Sequence, residues 1–163
     1  MARFTILEHD HPHLHWDLFL ETAGERVPTW RLPCPPGGLE VPPKQIPAPL
    51  GTGSCTTTTQ VQPGRGEVPF RMPVERIADH RRLYLDYEGP VSANRGIVRI
   101  WDTGLYIPLV CEENYWEVRL EGSRVRGFVA LSRQETAEKE WIFTMMAEKS
   151  GSLWERDVPK KCE

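Results

Sequence analysis

The sequence predicts a mainly β fold, a compact β-barrel with one or two short flanking helices. Two observations favour it: many short segments alternate apolar and polar residues, and turn signals separate them at intervals of about 8 to 12 residues. The 163 residues suffice for one domain with a buried core. A hydrophobic share of 39% and a charged share of 26% exclude a disordered or membrane-embedded chain.

The predicted strands follow one another along the chain and are joined by recognisable turns. A turn at Ala23-Gly24 joins the second strand to the third, and Thr103-Gly104 is expected to turn the chain after a central strand. A three-residue loop at 121–123 is expected to join two later strands. The predicted strands are 4–8, 15–21, 27–32, 96–102, 115–120, 125–131 and 141–146.

Other segments interrupt this pattern within a single domain of residues 1–163. Residues 34–72 are rich in Pro, Thr and Gly and are predicted to form an irregular insertion, in which the threonine run 56–59 has the propensity for a short edge strand. Residues 74–78 predict a short helix or turn, and 134–140 a helical turn or loop. A loose tail is expected from about residue 147.

Charge and cysteine content limit the partners and the compartment. A net charge of −3 excludes a broad basic coat, so a nucleic acid would need a local patch or a metal. The amino-terminal residues lack a secretory apolar region, and no apolar run approaches a membrane span, so we expect a cytoplasmic protein without a membrane partner. Four widely spaced cysteines predict free thiols: Cys34, Cys55, Cys111 and Cys162.

A histidine-rich segment at residues 9–17 carries the first candidate site. His15 and Asp17 are two residues apart, so a strand places both on one face. The intervening turn can fold His9 back beside His15, giving two imidazoles and a carboxylate, a ligand set for a divalent metal. A hydrogen bond between a buried His15 and Asp17 is an equally open interpretation, and His11 and His13 are expected to be solvated.

A second candidate group lies at residues 79–89. His80 and Tyr84 are four residues apart and would share a face if the segment turned helically. A histidine and a tyrosine hydroxyl can hold a phosphate oxygen, and the histidine can protonate a leaving group. The alternative is a surface loop whose aromatic residues pack on the barrel.

Together these segments resemble the 3'-phosphoesterase domain of DNA ligase D, which also occurs as a stand-alone protein. The family's metal strand, His-Tyr-Asp-Phe-Arg-Leu-Glu, resembles residues 15–21, and its Ser-Trp-Ala-Val-Pro resembles residues 29–33. The family's Asp-His-Pro-Leu-Asp-Tyr motif resembles the segment that begins at Asp79, and its Val-Trp-Asp-x-Gly strand resembles residues 100–104. The family's Leu-x-Gly-x-x-Leu-x-Gly-x-x-Ala-Leu resembles residues 120–131.

The resemblance implies a manganese-dependent enzyme that removes a 3'-ribonucleoside and a 3'-phosphate during DNA break repair. It implies that His9, His15 and Asp17 hold the metal, although such ligands also accept Zn, Fe or Co. It further implies that His80 and Tyr84 contact the scissile phosphate. The implied partners are DNA 3' ends together with a DNA ligase, a polymerase or an end-binding repair protein.

Three positions depart from the family pattern. Phe19 replaces a phosphate-binding arginine, Leu7 replaces a glutamine, and Met145 replaces a strand lysine. Either a nearby arginine supplies the missing cation or the chain is a catalytically decayed module that binds a DNA end or a protein. The candidate arginines are Arg31, Arg81 and Arg82.

A different metalloenzyme is a further alternative. His15, Asp17 and a distant His80 also match the two-histidine, one-carboxylate set of non-haem iron oxygenases. Such enzymes usually carry a basic residue for a keto-acid cosubstrate, and the sequence offers no well-placed candidate.

Overall fold

The computed structural model of the chain describes residues 2–38, 69–135 and 138–147. These residues form nine strands and two short 3-10 helices, at Pro36–Gly38 and Arg82–Leu85. The strands are β1 (Ala2–His9), β2 (His15–Leu20), β3 (Arg26–Leu32), β4 (Phe70–Arg81), β5 (Gly89–Pro90), β6 (Ile97–Glu112), β7 (Tyr115–Gly122), β8 (Arg126–Arg133) and β9 (Glu140–Ala147).

Eight of the strands close into an antiparallel barrel. The order of neighbours is β1-β2-β3-β4-β9-β8-β7-β6, and β1 pairs with β6 to complete the ring. The two-residue strand β5 pairs only with β6, outside the ring. Closure satisfies the backbone hydrogen bonds that an open sheet would leave exposed at its edges. The predicted β-barrel with short flanking helices is therefore confirmed.

The barrel interior is filled by alternate residues of the strands. On β2 the inward residues are Trp16, Leu18 and Leu20, and each is nearly inaccessible to solvent. Trp30 of β3 is fully buried, with ring contacts to Trp116 and Trp141. The alternation that predicted the strands from the sequence is thus the alternation that builds the core.

A second apolar cluster lies on the outer face of the same strands. It consists of Leu7, Phe19, Val27, Leu85 and Val98, and all are buried. The connection between β4 and β6, residues 82–96, covers this cluster and contributes Leu85 to it. Strand β2 is consequently buried on both faces, and its outward carboxylate Asp17 is held at only 4% exposure.

Several predicted boundaries are wrong. The predicted insertion 34–72 extends too far, because β4 begins at Phe70. Residues 74–78 are part of β4 and not a helix or turn, because β3 and β9 pair with this strand on its two sides. Thr103-Gly104 is not a turn, since β6 continues to Glu112 while β1 and β7 pair with it there. The predicted threonine strand and the tail beyond residue 147 lie outside the described residues.

The cysteine prediction is confirmed in one position and wrong in another. Cys34 keeps its thiol, which lies 3.6 Å from the sulfur of Met72. Cys111 is disulfide-bonded. Among the described residues, no helix has both the length and the apolar character needed to cross a membrane.

Candidate metal centre

The β1–β2 hairpin brings the three predicted metal ligands together. His9 lies directly opposite His15 in the register, and Asp17 lies opposite Leu7, so the three side chains share the outer face of the barrel. The His9 and His15 ring centroids are 4.8 Å apart. One ligand atom from each of the three residues lies within 4.8 Å of the others. The fold thus assembles the cluster that the sequence spacing predicted.

Backbone carbonyls fix which nitrogen of each histidine faces the cluster. Nε2 of His9 lies 2.7 Å from the Arg95 carbonyl, and Nδ1 of His15 lies 2.7 Å from the His13 carbonyl. Since a carbonyl can only accept, each of these nitrogens donates its proton. The remaining nitrogens, Nδ1 of His9 and Nε2 of His15, keep free lone pairs that point toward the cluster.

The chemistry of this pocket fits a divalent cation. Nε2 of His15 lies 3.5 Å from Oδ2 of Asp17, and Nδ1 of His9 lies 3.9 Å from the same oxygen. Within the part of the chain that the structure describes, Nε2 of His15 and Oδ1 of Asp17 are buried without a hydrogen-bond partner. Two imidazole lone pairs and a carboxylate that converge away from solvent are stabilised by positive charge, which Arg31 supplies only in part, at 3.7 Å from Oδ1 of Asp17. A nitrogen and oxygen ligand set of this kind suits Mn²⁺, Fe²⁺ or Zn²⁺.

Arg31 is the predicted phosphate-binding residue that lies at the cluster. It is the cross-strand neighbour of Asp17, with its Nε 3.7 Å from Oδ1 of Asp17. One of its terminal nitrogens lies 3.7 Å from Oε2 of Glu75 on β4. The Nε is buried and makes no hydrogen bond, while 40% of the side chain stays exposed. Arg31 therefore has unused donor capacity beside the metal ligands.

His80 and Tyr84 come together, although not on one helix as predicted. His80 is on strand β4 and Tyr84 is in the 3-10 helix Arg82–Leu85, with ring centroids 5.6 Å apart. Both rings pack on Phe19, His80 at 5.4 Å in edge contact and Tyr84 at 6.4 Å in stacked contact. Phe19 is two residues from Asp17 on the same face of β2, so this pair lies beside the metal ligands.

Phe19 and Leu7, two of the three positions that differ from the family pattern, lie together in the structure. Both residues are 1% exposed and both lie in the outer apolar cluster. Met145 packs instead against the barrel interior.

The other two predicted phosphate-binding arginines lie further along the barrel. Arg82 donates to a carboxylate oxygen of Glu21 and, at 2.9 Å, to the Thr22 carbonyl. Glu21 is four residues from Asp17, about 13 Å along an extended strand, so the structure does not bring Arg82 into the cluster of His9, His15 and Asp17. Arg81 is exposed and pairs across the sheet with Arg26, next to His80.

The sequence did not reveal the groups that contact the cluster residues through a backbone carbonyl or from a neighbouring strand. The Arg95 carbonyl gave no signal, because every residue carries a carbonyl. Glu75 becomes visible as a neighbour of Arg31 only when the register between β3 and β4 is known. Asp10 was seen only as part of the histidine-rich run, yet Oδ1 of Asp10 accepts the Ile97 backbone N–H at 2.7 Å.

The protonation of His80 gives a testable pH dependence. Burial lowers the pKa of His80 below its ordinary value of 6.5, although the negative charge of Asp17 acts in the opposite direction. Below about pH 6.5 the unfolded chain therefore binds more protons at this residue than the folded protein does, so the free energy of unfolding decreases as the pH is lowered. We expect the urea concentration at the unfolding midpoint to decrease when the pH is lowered from about 7.5 to about 5.5, and to decrease less in His80→Gln. An equal fall in both proteins would contradict this role for His80.

Comparisons with known proteins add no family to this description. No protein-family model matches the chain, and no curated protein matches its sequence.

Proposed function

We propose that the protein is a metal-dependent phosphoesterase, with Mn²⁺ as the cofactor, that processes DNA 3' ends in break repair. The observation that carries the proposal is the convergence of a half-buried His9 with the buried His15 and Asp17 beside an arginine with an unused donor. The proposed reactions are removal of a 3'-phosphate and of a 3'-ribonucleoside. The proposed partners are DNA ends and the ligase or polymerase that uses the resulting 3'-hydroxyl.

The residues present can divide the work of phosphate ester hydrolysis. A divalent ion held by His9, His15 and Asp17 would supply charge neutralisation and a lowered pKa for a bound water. Arg31 would hold a phosphate oxygen on the ligand side of the site. His80 and Tyr84 would contact the phosphate from the side of Phe19 and would donate hydrogen bonds to its oxygens, including the leaving oxygen.

Arg31 is the best candidate for the cation that Phe19 no longer supplies. The family pattern has arginine at the position of Phe19 and alanine at the position of Arg31. Both positions adjoin Asp17, one along β2 and the other across the β2–β3 pair. The arginine would have moved from one neighbour of Asp17 to another, and a guanidinium at either position lies within reach of the same phosphate.

The test is a cleavage assay on labelled primer-templates that end in a 3'-phosphate or a 3'-ribonucleotide. The protein is incubated with Mn²⁺ or with a chelator, and the 3' ends are resolved by electrophoresis. Conversion to a 3'-hydroxyl with Mn²⁺, but not with the chelator, would support the proposal. Absence of cleavage by folded protein that binds Mn²⁺ would refute the enzymatic function.

Replacement of Arg31 tests the proposed phosphate contact. Arg31→Gln removes the charge and the paired donors, and we expect cleavage to fall by about 10- to 100-fold, the value of one charged hydrogen bond. Arg126→Gln is the matched control, since it removes the same charge from an exposed position at the start of β8. Similar cleavage rates in the two variants would exclude Arg31 as the replacement cation.

A second candidate function is a DNA-end binding module that retains the metal site without turnover. The buried pair Leu7 and Phe19 favours it, because an apolar cluster occupies positions where the family pattern has polar residues. This candidate predicts Mn²⁺-dependent binding of DNA ends with no product in the cleavage assay.

A further inference from the structure

The 82–96 connection is tied to the outer face of the barrel at β1, β2 and β6. At its start the Thr5 hydroxyl donates to the Leu85 carbonyl at 2.8 Å, and Tyr84 packs on Phe19. In its middle Tyr87 contacts the Tyr84 ring at 5.7 Å, and its hydroxyl donates to the Pro90 carbonyl at 2.6 Å. The connection thus runs as a supported segment from the proposed phosphate contacts toward His9.

The tip of this connection is a tight turn that aims the Arg95 carbonyl. The Val91 N–H donates to the Gly96 carbonyl at 2.8 Å, and Nε of Arg95 donates to the Ser92 carbonyl at 2.9 Å. Ala93, Asn94 and Gly96 have positive φ angles of 62°, 53° and 76°. This uncommon backbone conformation turns the Arg95 carbonyl toward Nε2 of His9.

Asp10 fastens the turn to the histidine-rich segment. Its Oδ1 accepts the Ile97 N–H at 2.7 Å, and its own N–H donates to the Ile97 carbonyl at 3.4 Å. Gly96 packs so closely that an added Cβ would overlap Oδ1 of Asp10 and lie 2.5 Å from Cβ of His11. Asp10 and Gly96 therefore set the distance between the Arg95 carbonyl and the neighbouring His9.

We propose that Asp10 and the Arg95 carbonyl are positioning groups for the metal centre. They hold His9 as the Nε2–H tautomer, so that its Nδ1 lone pair faces the other ligands. Loss of a group that hydrogen-bonds to a metal ligand typically weakens metal binding by about 10- to 100-fold. The inference rests on the metal-binding part of the proposed function and not on the DNA substrate.

The first test compares Asp10→Ala with Asp10→Asn. Both lose the charge, but only Asn retains an oxygen that accepts the Ile97 N–H. We expect Asp10→Ala to weaken Mn²⁺ binding by about 10- to 100-fold in calorimetry, with Asp10→Asn within about threefold of the wild type. Equal weakening in both variants would show that Asp10 acts by charge alone and would overturn the positioning role, as would wild-type affinity in Asp10→Ala.

The second test reads the tautomer directly by ¹⁵N NMR of the metal-free protein. We expect His9 of the wild type to carry its proton on Nε2, and Gly96→Ala to mix the two tautomers. Gly37→Ala is the matched control, because Gly37 also has a positive φ, of 84°, and no atom of the described residues lies within 4 Å of an added Cβ. A wild-type His9 protonated on Nδ1 would overturn the proposal. Neither test uses DNA, so failure of the cleavage assay leaves both outcomes readable.

Discussion

Replacement of His15 by alanine should weaken Mn²⁺ binding by more than about 100-fold and remove cleavage with it. Loss of a group that hydrogen-bonds to a metal ligand already weakens metal binding by about 10- to 100-fold, and loss of the ligand itself weakens it more. His15 is buried at 6% exposure, and its Nε2 has no hydrogen-bond partner among the described residues. This nitrogen can therefore bind a metal without breaking a hydrogen bond among the described residues. Removal of the ring leaves the metal with one ligand fewer.

The measurement is Mn²⁺ calorimetry of purified, folded protein, followed by the cleavage assay. His13→Ala is the matched control, because His13 is exposed and only its backbone carbonyl contacts His15. The control should bind Mn²⁺ within about threefold of the wild type, since the carbonyl that orients His15 remains. Similar affinities in His15→Ala and His13→Ala would show that the cluster is a set of hydrogen-bonded histidines and not a metal site.

The clustering of the proposed metal ligands was predictable because their placement depends on short-range rules. Alternation along one strand puts His15 and Asp17 on the same face, and a hairpin returns His9 to a position opposite His15. The partners of these ligands were not predictable, because they come from elsewhere in the chain. The Arg95 carbonyl reaches His9 only through the closure of the barrel by β1 and β6.

The second group shows how a correct pairing can come from an incorrect local structure. The spacing of His80 and Tyr84 suggested one helical face, yet His80 lies in a strand, one residue before its end, and Tyr84 follows in a 3-10 helix. They meet because both pack on Phe19. The sequence analysis described Phe19 only as the replacement of a charged arginine. Packing on a common third residue leaves no periodic signal in the sequence.

The Trp-Asp-x-Gly segment, which contributes to the family resemblance, has a structural role in the barrel. Asp102 is 4% exposed, and its carboxylate accepts the backbone N–H groups of Ser123, Arg124 and Val125 at 3.0, 3.1 and 2.8 Å. Gly122 must lack a side chain, because an added Cβ would overlap Oδ2 of Asp102. These residues hold the β7–β8 turn against β6, so this part of the resemblance supports the fold and not the reaction.

Asp102→Ala should therefore destabilise the protein by about 3 kcal/mol or more. Three backbone donors would lose a charged acceptor, and each such hydrogen bond contributes about 1.5 to 3 kcal/mol. Asp102→Asn should lose less stability, because its amide oxygen can still accept a backbone N–H. Its amide nitrogen cannot accept and would face the other backbone donors.

Urea unfolding at neutral pH measures both losses, and Mn²⁺ calorimetry on the folded fraction separates stability from function. We expect the order of stability to be wild type, Asn variant and Ala variant, with Mn²⁺ affinity unchanged in the folded protein. A stable Asp102→Ala protein that no longer binds Mn²⁺ would reverse this assignment, because the carboxylate would then serve the metal centre instead of the turn.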